Sequence, residues 1–507
     1  MAPGTGLRPS MGWLHNWAGV LLGSLLLAVF WSGSLALFDR EIDRWMLPAT
    51  RLGAPPAELS LDRLVLPHAQ RLAGNAARWT ITLPDARTPA IQLEYPDAQG
   101  RSTRRFIDPH SGALLAEDGS WAGSGFIFPL HYSLHLRWRG LGHWLLGIAG
   151  MGMLVLLVSG VLVHRKLIRE FFTFRPRKSR QRATLDLHNL TGIVALPFHF
   201  LISLSGLIIF FAIYFPAAIE RLYGERPGEF ASEAFGSYSR PAAGEPAPLA
   251  SLDAMRAQAS SAWQGEPAYL LRIWHPGDSQ AYVEVRRSFA RQVSMNVDRM
   301  TFDGPGGALL LDHRGAPVAG IQRFFTGLHF VQFEHWTLRW LYFLGGLAGC
   351  VMIASGMLFW IGARRARHQR QGLGGVRLLE ALCVASCSGL VLATLAFFVA
   401  NRLLPAEASL PRVSRAALEG WVFFLAWAAT LAHARLRGAR AWQQQLRAIA
   451  GAAVLAVLLN WLSTGDHLLH SLRHGLPAVA GMDLLLLLLG VLAFASARKI
   501  ARSGADE

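Results

Sequence analysis

Only three cysteines occur in the 507 residues, Cys350, Cys383 and Cys387, and all lie within apolar stretches. A disulfide framework is therefore excluded as the scaffold of the parts outside a membrane. There is no Cys-x-x-Cys-His string, so any haem must be held non-covalently. Charge is scarce too: 16% of residues are Asp, Glu, Lys or Arg, against about 25% in ordinary soluble domains. The chain also lacks a Gly-x-Gly-x-x-Gly turn after a strand, a P-loop, a His-Glu-x-x-His string and a Ser-His-Asp pattern. These absences argue against a nucleotide or flavin domain and against hydrolytic chemistry.

What is abundant is apolar sequence, at 52%. A bilayer core needs about 20 apolar residues per helix. Segments 13–38, 140–165, 188–214, 337–361, 377–400, 417–434, 447–465 and 479–497 meet or approach that length. The expected fold is mainly α: a polytopic membrane protein of about eight transmembrane helices with two small α+β modules. The net charge of +16 sits in short segments beside apolar runs. That is the signature of cytoplasmic loops, not of a nucleic-acid surface, and no nucleic-acid partner is expected. The basic clusters are His164–Arg182, Ala363–Arg370, Ala434–Arg440, and Arg498 with Lys499 and Arg502. With eight spans all four fall on one side, and both termini are cytoplasmic. The loop at 164–182 also suits lipid headgroups. The first apolar run lacks a small-residue cleavage site and reads as a retained span.

Two segments are too polar to span and long enough to fold. Each passes from a helix-like stretch to strand-like alternation and closes on Asp-x-x-x-Gly-Ala-Leu-Leu, at Asp108–Leu115 and Asp303–Leu310. Asp and Gly at those offsets mark a hairpin turn. The spans repeat as well. Leu14-His15-Asn16 resembles Leu187-His188-Asn189, Leu130-His131 resembles Leu328-His329, and Val158-Ser-Gly160 resembles Ala354-Ser-Gly356. The repeats read as one unit copied twice, over 13–165 and 188–361. The expected organisation is a first span in 1–44, a first module in 45–135, and spans two and three with the basic loop in 136–215. A second module in 216–334, a fourth span in 335–362 and a four-helix bundle in 376–500 follow.

Several strings carry a family resemblance: Leu14-His15, Phe172-Thr-Phe-Arg-Pro-Arg-Lys178, His188-Asn-Leu-Thr-Gly192, Leu196-Pro-Phe-His199 and Leu338-Arg-Trp-Leu-Tyr-Phe343. Over about 11–361 the chain resembles the PepSY-associated transmembrane family, the iron-regulated membrane proteins that include ferric-siderophore reductases. The two Asp-x-x-x-Gly turns fit PepSY modules. The resemblance implies a haem-containing protein of the bacterial inner membrane that passes electrons to periplasmic iron chelates, with two haem b groups. A ferric siderophore is the implied substrate. With no evident flavin or nucleotide motif, electrons would have to come from a separate cytoplasmic reductase or from quinol.

The histidines give this a physical form. An ionisable side chain in a span is costly and marks function, and two imidazoles can hold a low-spin haem iron. Axial ligands of one haem must share a depth. His15 and His188 both open outward-running helices, and His131 and His329 both precede inward-running ones. Repeat-equivalent histidines thus lie at equal depth, giving an inner site at His15/His188 and an outer site at His131/His329. His164 ends the second span and could replace one inner ligand. His199 follows His188 by 11 residues, about three turns or roughly 16 Å along one face. At that depth Met153, Cys350 or, with tilted helices, His143 is its nearest partner; His135 is a further outer-face candidate. Asp466, His467, His470 and His474 form a speculative outer-face metal cluster, for which a solvated helix end is the plainer reading. A non-redox permease and a regulatory PepSY membrane protein are the competing functions.

Overall fold

The computed structural model describes residues 6–74, 76–117, 119–164, 173–175, 178–224, 226–371, 375–411 and 413–505. It divides into a helical unit, Met1–Met46 with Gly119–Leu207 and His335–Glu507, and a sheet unit, Leu47–Asp118 with Ile208–Glu334.

The helical unit contains α1 (Leu7–Ala36), α2 (Asp39–Met46), α3 (Phe128–Ser133), α4 (Leu141–Val163), α5 (Arg180–Val194) and α6 (Leu196–Ile209). They are followed by α7 (Trp336–Arg370), α8 (Gly375–Leu403), α9 (Arg415–Arg437), α10 (Arg440–Thr464), α11 (Leu468–Arg473) and α12 (Pro477–Ala505). Seven of these (α1, α4, α7, α8, α9, α10 and α12) are long and apolar enough to cross a membrane. The expected third span is different. It is the pair α5–α6, bent by 66°. The break falls at Ala195 (φ −98°, ψ 13°), two residues before Pro197, whose ring and missing N–H disrupt the preceding turn.

Glycines let α1 approach its neighbours. A Cβ on Gly152 of α4 would lie 2.1 Å from Leu22 of α1, and one on Gly346 of α7 would lie 2.3 Å from Ser34 Oγ. Small residues at helix contacts are the usual means of close packing in a bilayer. Much of the basic loop, residues 165–172 and 176–177, lies outside the described residues. Its described end is anchored: Arg175 and Arg182 approach the buried Asp186 at 2.9 and 3.0 Å.

The first soluble part is shorter than 45–135, because Gly119–Ser133 belongs to the helical unit. Phe126, Ile127 and Leu130 explain this, being 1%, 2% and 6% exposed. Sequence reading also passed over two carboxylates inside the C-terminal bundle. Glu419 of α9 is buried and accepts from Ser120 Oγ and from Asn401 Nδ2 (3.0 Å), with Arg415 at 3.1 Å. Asp483 of α12 is buried and accepts from Trp45 Nε1 at 2.8 Å.

In the sheet unit the two modules share one antiparallel sheet. Its strands are β1 (Arg78–Thr82), β2 (Ile91–Pro96), β3 (Ser102–Ile107), β4 (Ala268–Trp274), β5 (Tyr282–Arg287), β6 (Arg299–Asp303) and β7 (Leu309–His313). Their order is β3-β2-β1-β4-β5-β6-β7. The modules meet at β1–β4, where Thr80 faces Arg272. Alternation puts Trp79, Ile81, Leu93, Ile107, Leu271, Ile273, Val283 and Phe302 on one face, packed with helical residues such as Leu61, Leu64, Leu252 and Met255. Both Asp-x-x-x-Gly turns form as expected: Gly112 N–H donates to Asp108 O and Gly307 N–H to Asp303 O. Their φ values of 73° and 72° lie in the left-handed region that favours glycine.

The duplication also builds a reciprocal clasp. Ser60 Oγ and Leu61 N–H donate to Asp253, at 2.6 and 2.9 Å. Ser251 Oγ and Leu252 N–H donate to Asp62. Each Ser-Leu-Asp string thus places its carboxylate at the helix start of the other copy. Asp62→Ala or Asp253→Ala is expected to destabilise the sheet unit by about 1–3 kcal/mol. Faster amide exchange in Leu61–Ala73 and Leu252–Ala262 of either variant would register the loss. Unchanged protection would show that the clasp is incidental.

Candidate functional site

The helical unit holds a cavity of about 490 Å³. His15 and Asn16 of α1 line it together with His188 and Asn189 of α5, the two copies of the His-Asn string. His164, the C-cap of α4, also lines it, as do Arg182 and the glycines 12, 19, 23, 160, 192 and 356.

The two repeat-related histidines are seated alike. His15 Nδ1 lies 3.0 Å from the Leu156 carbonyl, and His188 Nδ1 lies 2.8 Å from the Met352 carbonyl. His15 also has Ser159 Oγ at 3.1 Å. Four residues beyond each carbonyl stands a glycine under the ring. A Cβ on Gly160 would lie 3.1 Å from His15 Cε1, and one on Gly356 would lie 2.9 Å from His188 Nδ1. The Ser-Gly strings repeated at the ends of α4 and within α7 are therefore the seats of these rings. With Nδ1–H donating to a carbonyl, Nε2 is the nitrogen with a free lone pair.

The two rings stand 6.1 Å apart between centroids, at 74°. Two imidazoles on opposite sides of one metal ion, with bonds of about 2 Å, have centroids about 6 Å apart. The spacing thus fits a pair of axial ligands, and both rings line the cavity.

Other predicted residues share this seating. His131 of α3 places Nδ1 3.1 Å from the Val29 carbonyl and lies over Gly33, whose Cβ would be 2.7 Å from its Cε1. His199 of α6 is fully buried, with Nε2 3.3 Å from the Gly345 carbonyl and beside Gly349. Its Nδ1 has no hydrogen-bond partner among the described residues. Its ring meets Phe30 at 5.7 Å and Phe198 at 5.8 Å. His143 stacks on Tyr132 at 6.1 Å. His329 lies on the helix Gly320–Phe330, in the sheet unit, whereas His131 belongs to the helical unit.

This architecture of repeated spans, a duplicated soluble module and paired histidines coincides with a known family. The model of the PepSY-associated transmembrane region matches residues 12–363. The chain belongs to the PepSY-associated transmembrane family. An uncharacterized protein of Pseudomonas aeruginosa is 31% identical over 408 residues, covering 75% of this chain and 95% of that relative. The PepSY-associated match contains both histidine repeats and the whole sheet unit, and ends before α8.

Outside the PepSY-associated region, the residues of the expected metal cluster contact one another at the start of α11. His467 Nδ1 accepts the His470 N–H at 3.2 Å and caps α11. His470 Nε2 lies 3.3 Å from Asp466 and its ring stacks on His474 at 3.9 Å between centroids. Among the described residues no three His, Cys, Asp or Glu side chains are arranged to hold a metal ion. His135 Nε2 lies 2.8 Å from the Phe126 carbonyl and its ring stacks on Phe126.

The Ser-Gly repeats at Gly160 and Gly356 are visible in the sequence, but their link to a histidine is not. Each of Gly33, Gly160, Gly349 and Gly356 lies four residues after the carbonyl that a histidine contacts. A histidine in one span and a small residue in another are separately unremarkable, and only the helix pairing joins them.

Proposed function

We propose that this chain is a haem-containing oxidoreductase of the bacterial inner membrane that passes electrons to a ferric chelate, of siderophore type, in the periplasm. The observation that carries the reading is the His15–His188 pair across a glycine-lined cavity. Haem b would supply a one-electron iron couple there. His15 and His188 would hold it through Nε2, and the Leu156 and Met352 carbonyls fix their tautomers. Arg182 at the cavity wall is a cation suited to carboxylates on a bound ligand. For a second haem, His131 sits beside Gly33 and His199 beside Phe30, at one level of α1. His199 is then a partner for His131 that repeat symmetry, which pairs His131 with His329, does not anticipate.

Reduction suits iron release, because hard oxygen chelators hold Fe(III) far better than Fe(II). Electrons would come from a separate cytoplasmic reductase or from quinol, with both termini of the chain on that side. The test is the absorption spectrum of the purified protein from haem-replete cells, oxidised and then reduced with dithionite, with haem stoichiometry. A Soret band, sharp reduced α-bands and reoxidation by a ferric chelate are expected. A colourless protein would end the proposal.

The break at Ala195–Pro197 favours a second reading, a non-redox permease, because interrupted spans are a transporter feature. Counterflow of a ferric chelate in liposomes without reductant would support it. Electron transfer requires that none occur.

A further inference from the structure

The second face of the seven-stranded sheet carries a concentration of arginine. The residues alternating with the apolar core include Arg78, Arg272, Arg286 and Arg299 on β1, β4, β5 and β6. The common counter-charge of the last three is Glu284. Arg286 approaches it at 3.1 Å, Arg299 at 3.6 Å and Arg272 at 3.9 Å. Three guanidinium groups thus share one carboxylate, leaving a surplus of positive charge.

The register makes this costly. Arg286 and Arg299 are directly opposite on β5 and β6, an arrangement of like charges that destabilises a sheet. Burial and the neighbouring Arg286 cation both hold the Arg272 and Arg299 guanidinium groups below the ordinary arginine pKa. They remain cations regardless. The donors are also unspent. Nε of Arg272, Arg286 and Arg299 is buried without a hydrogen-bond partner among the described residues, as is Thr301 Oγ1. Arg299 is 7% exposed and Thr301 0%. Unpaired buried donors beside an excess of cation are what an oxyanion would satisfy.

We infer that Arg272, Arg286 and Arg299, with Thr301 beside them, form a binding site for a multiply charged oxyanion on this face of the sheet. The oxygen chemistry is that of a polycarboxylate or a phosphate, and the source is either a soluble ligand or a lipid headgroup. Glu284 gathers the three arginines and competes with the ligand for them. The site goes beyond the electron-transfer reading and does not rest on it. Its test involves no haem and no reduction.

The test is isothermal titration of citrate, and separately of inorganic phosphate, into the full-length protein in neutral detergent at low ionic strength. Retention of phosphatidylglycerol in nanodiscs is measured in parallel. Arg272→Gln/Arg299→Gln is expected to bind roughly 10- to 100-fold more weakly. Glu284→Gln is expected to bind more tightly, since the internal competitor is gone. Citrate or phosphate binding with that pattern identifies a soluble ligand. Arginine-dependent retention of phosphatidylglycerol alone identifies a headgroup. The proposal is overturned if neither source binds to wild type, or if wild type and the folded double variant bind equally. Should the double variant not fold, Glu284→Gln decides: unchanged or weaker binding overturns the site.

Discussion

Replacing His188 with alanine is expected to remove one haem per chain, about half the total if two are bound, and with it the corresponding part of the reduced α-band absorbance. His15→Ala should do the same, because each ring is one half of a 6.1 Å pair. The residue left behind cannot hold the group alone in a low-spin state. His164→Ala separates the alternatives, since His164 also lines the cavity. It is a C-cap in extended conformation (φ −81°, ψ 101°), and the equivalent position in the second copy, four residues past Gly356, is Trp360 rather than a histidine. Its replacement is therefore expected to leave the haem content intact. Loss of haem in His164→Ala with retention in His15→Ala would reassign the inner ligand and break the repeat pairing. An unaltered spectrum in all three variants would move the site elsewhere.

The repeat that proposes this pairing was legible without coordinates. His15 and His188 stand in the same local string, and hydropathy places both at the start of a span. The spans themselves were legible for the same reason. A bilayer leaves the backbone no other partner than its own helix, so 20 apolar residues nearly dictate the outcome. The turn glycines at 112 and 307 were legible because positive φ restricts the residue type. The bend in the third span was half-visible in Pro197, whose effect on α5–α6 depends on how the freed carbonyls find other partners.

What stayed hidden depends on which helix or strand lies beside which. Nothing local says that β1 pairs with β4, so two modules looked like separate domains although they build one sheet. The Asp62–Asp253 clasp follows from that pairing and was equally hidden. Asp483 stands alone in an apolar run, and its reason, Trp45, is 438 residues away. The arginines of β4, β5 and β6 are scattered in sequence, and only the register stacks them around Glu284. His199 stands deep in its span, where the sequence offers only Met153, Cys350 or, with tilted helices, His143 as a partner. Its place beside Phe30 appears only once α1 and α6 are packed together.

Gly356→Ala tests the seat of the ring while leaving every histidine in place. An alanine Cβ would lie 2.9 Å from His188 Nδ1 and 3.0 Å from Cε1. Carbon atoms are not found that close, so the ring must move. Moving it breaks the 2.8 Å bond to the Met352 carbonyl. Loss of such a supporting bond typically costs 10- to 100-fold in metal-centre affinity, and a loss of about that size is expected here. Gly160→Ala should cost less, since its Cβ would meet His15 at 3.1 Å, within reach of a small adjustment. Intrinsic helix propensity runs the other way: alanine favours a helix over glycine by about 1 kcal/mol. Haem content is therefore expected to fall in the order wild type, Gly160→Ala, Gly356→Ala, without a parallel fall in the unfolding midpoint of the haem-free protein. Gly451→Ala, where a Cβ meets nothing within 4 Å, is the matched control and should retain full haem. Equal haem in Gly356→Ala and Gly451→Ala would show that the glycine is only a helix-packing residue, and that the His188 ring does not need its seat.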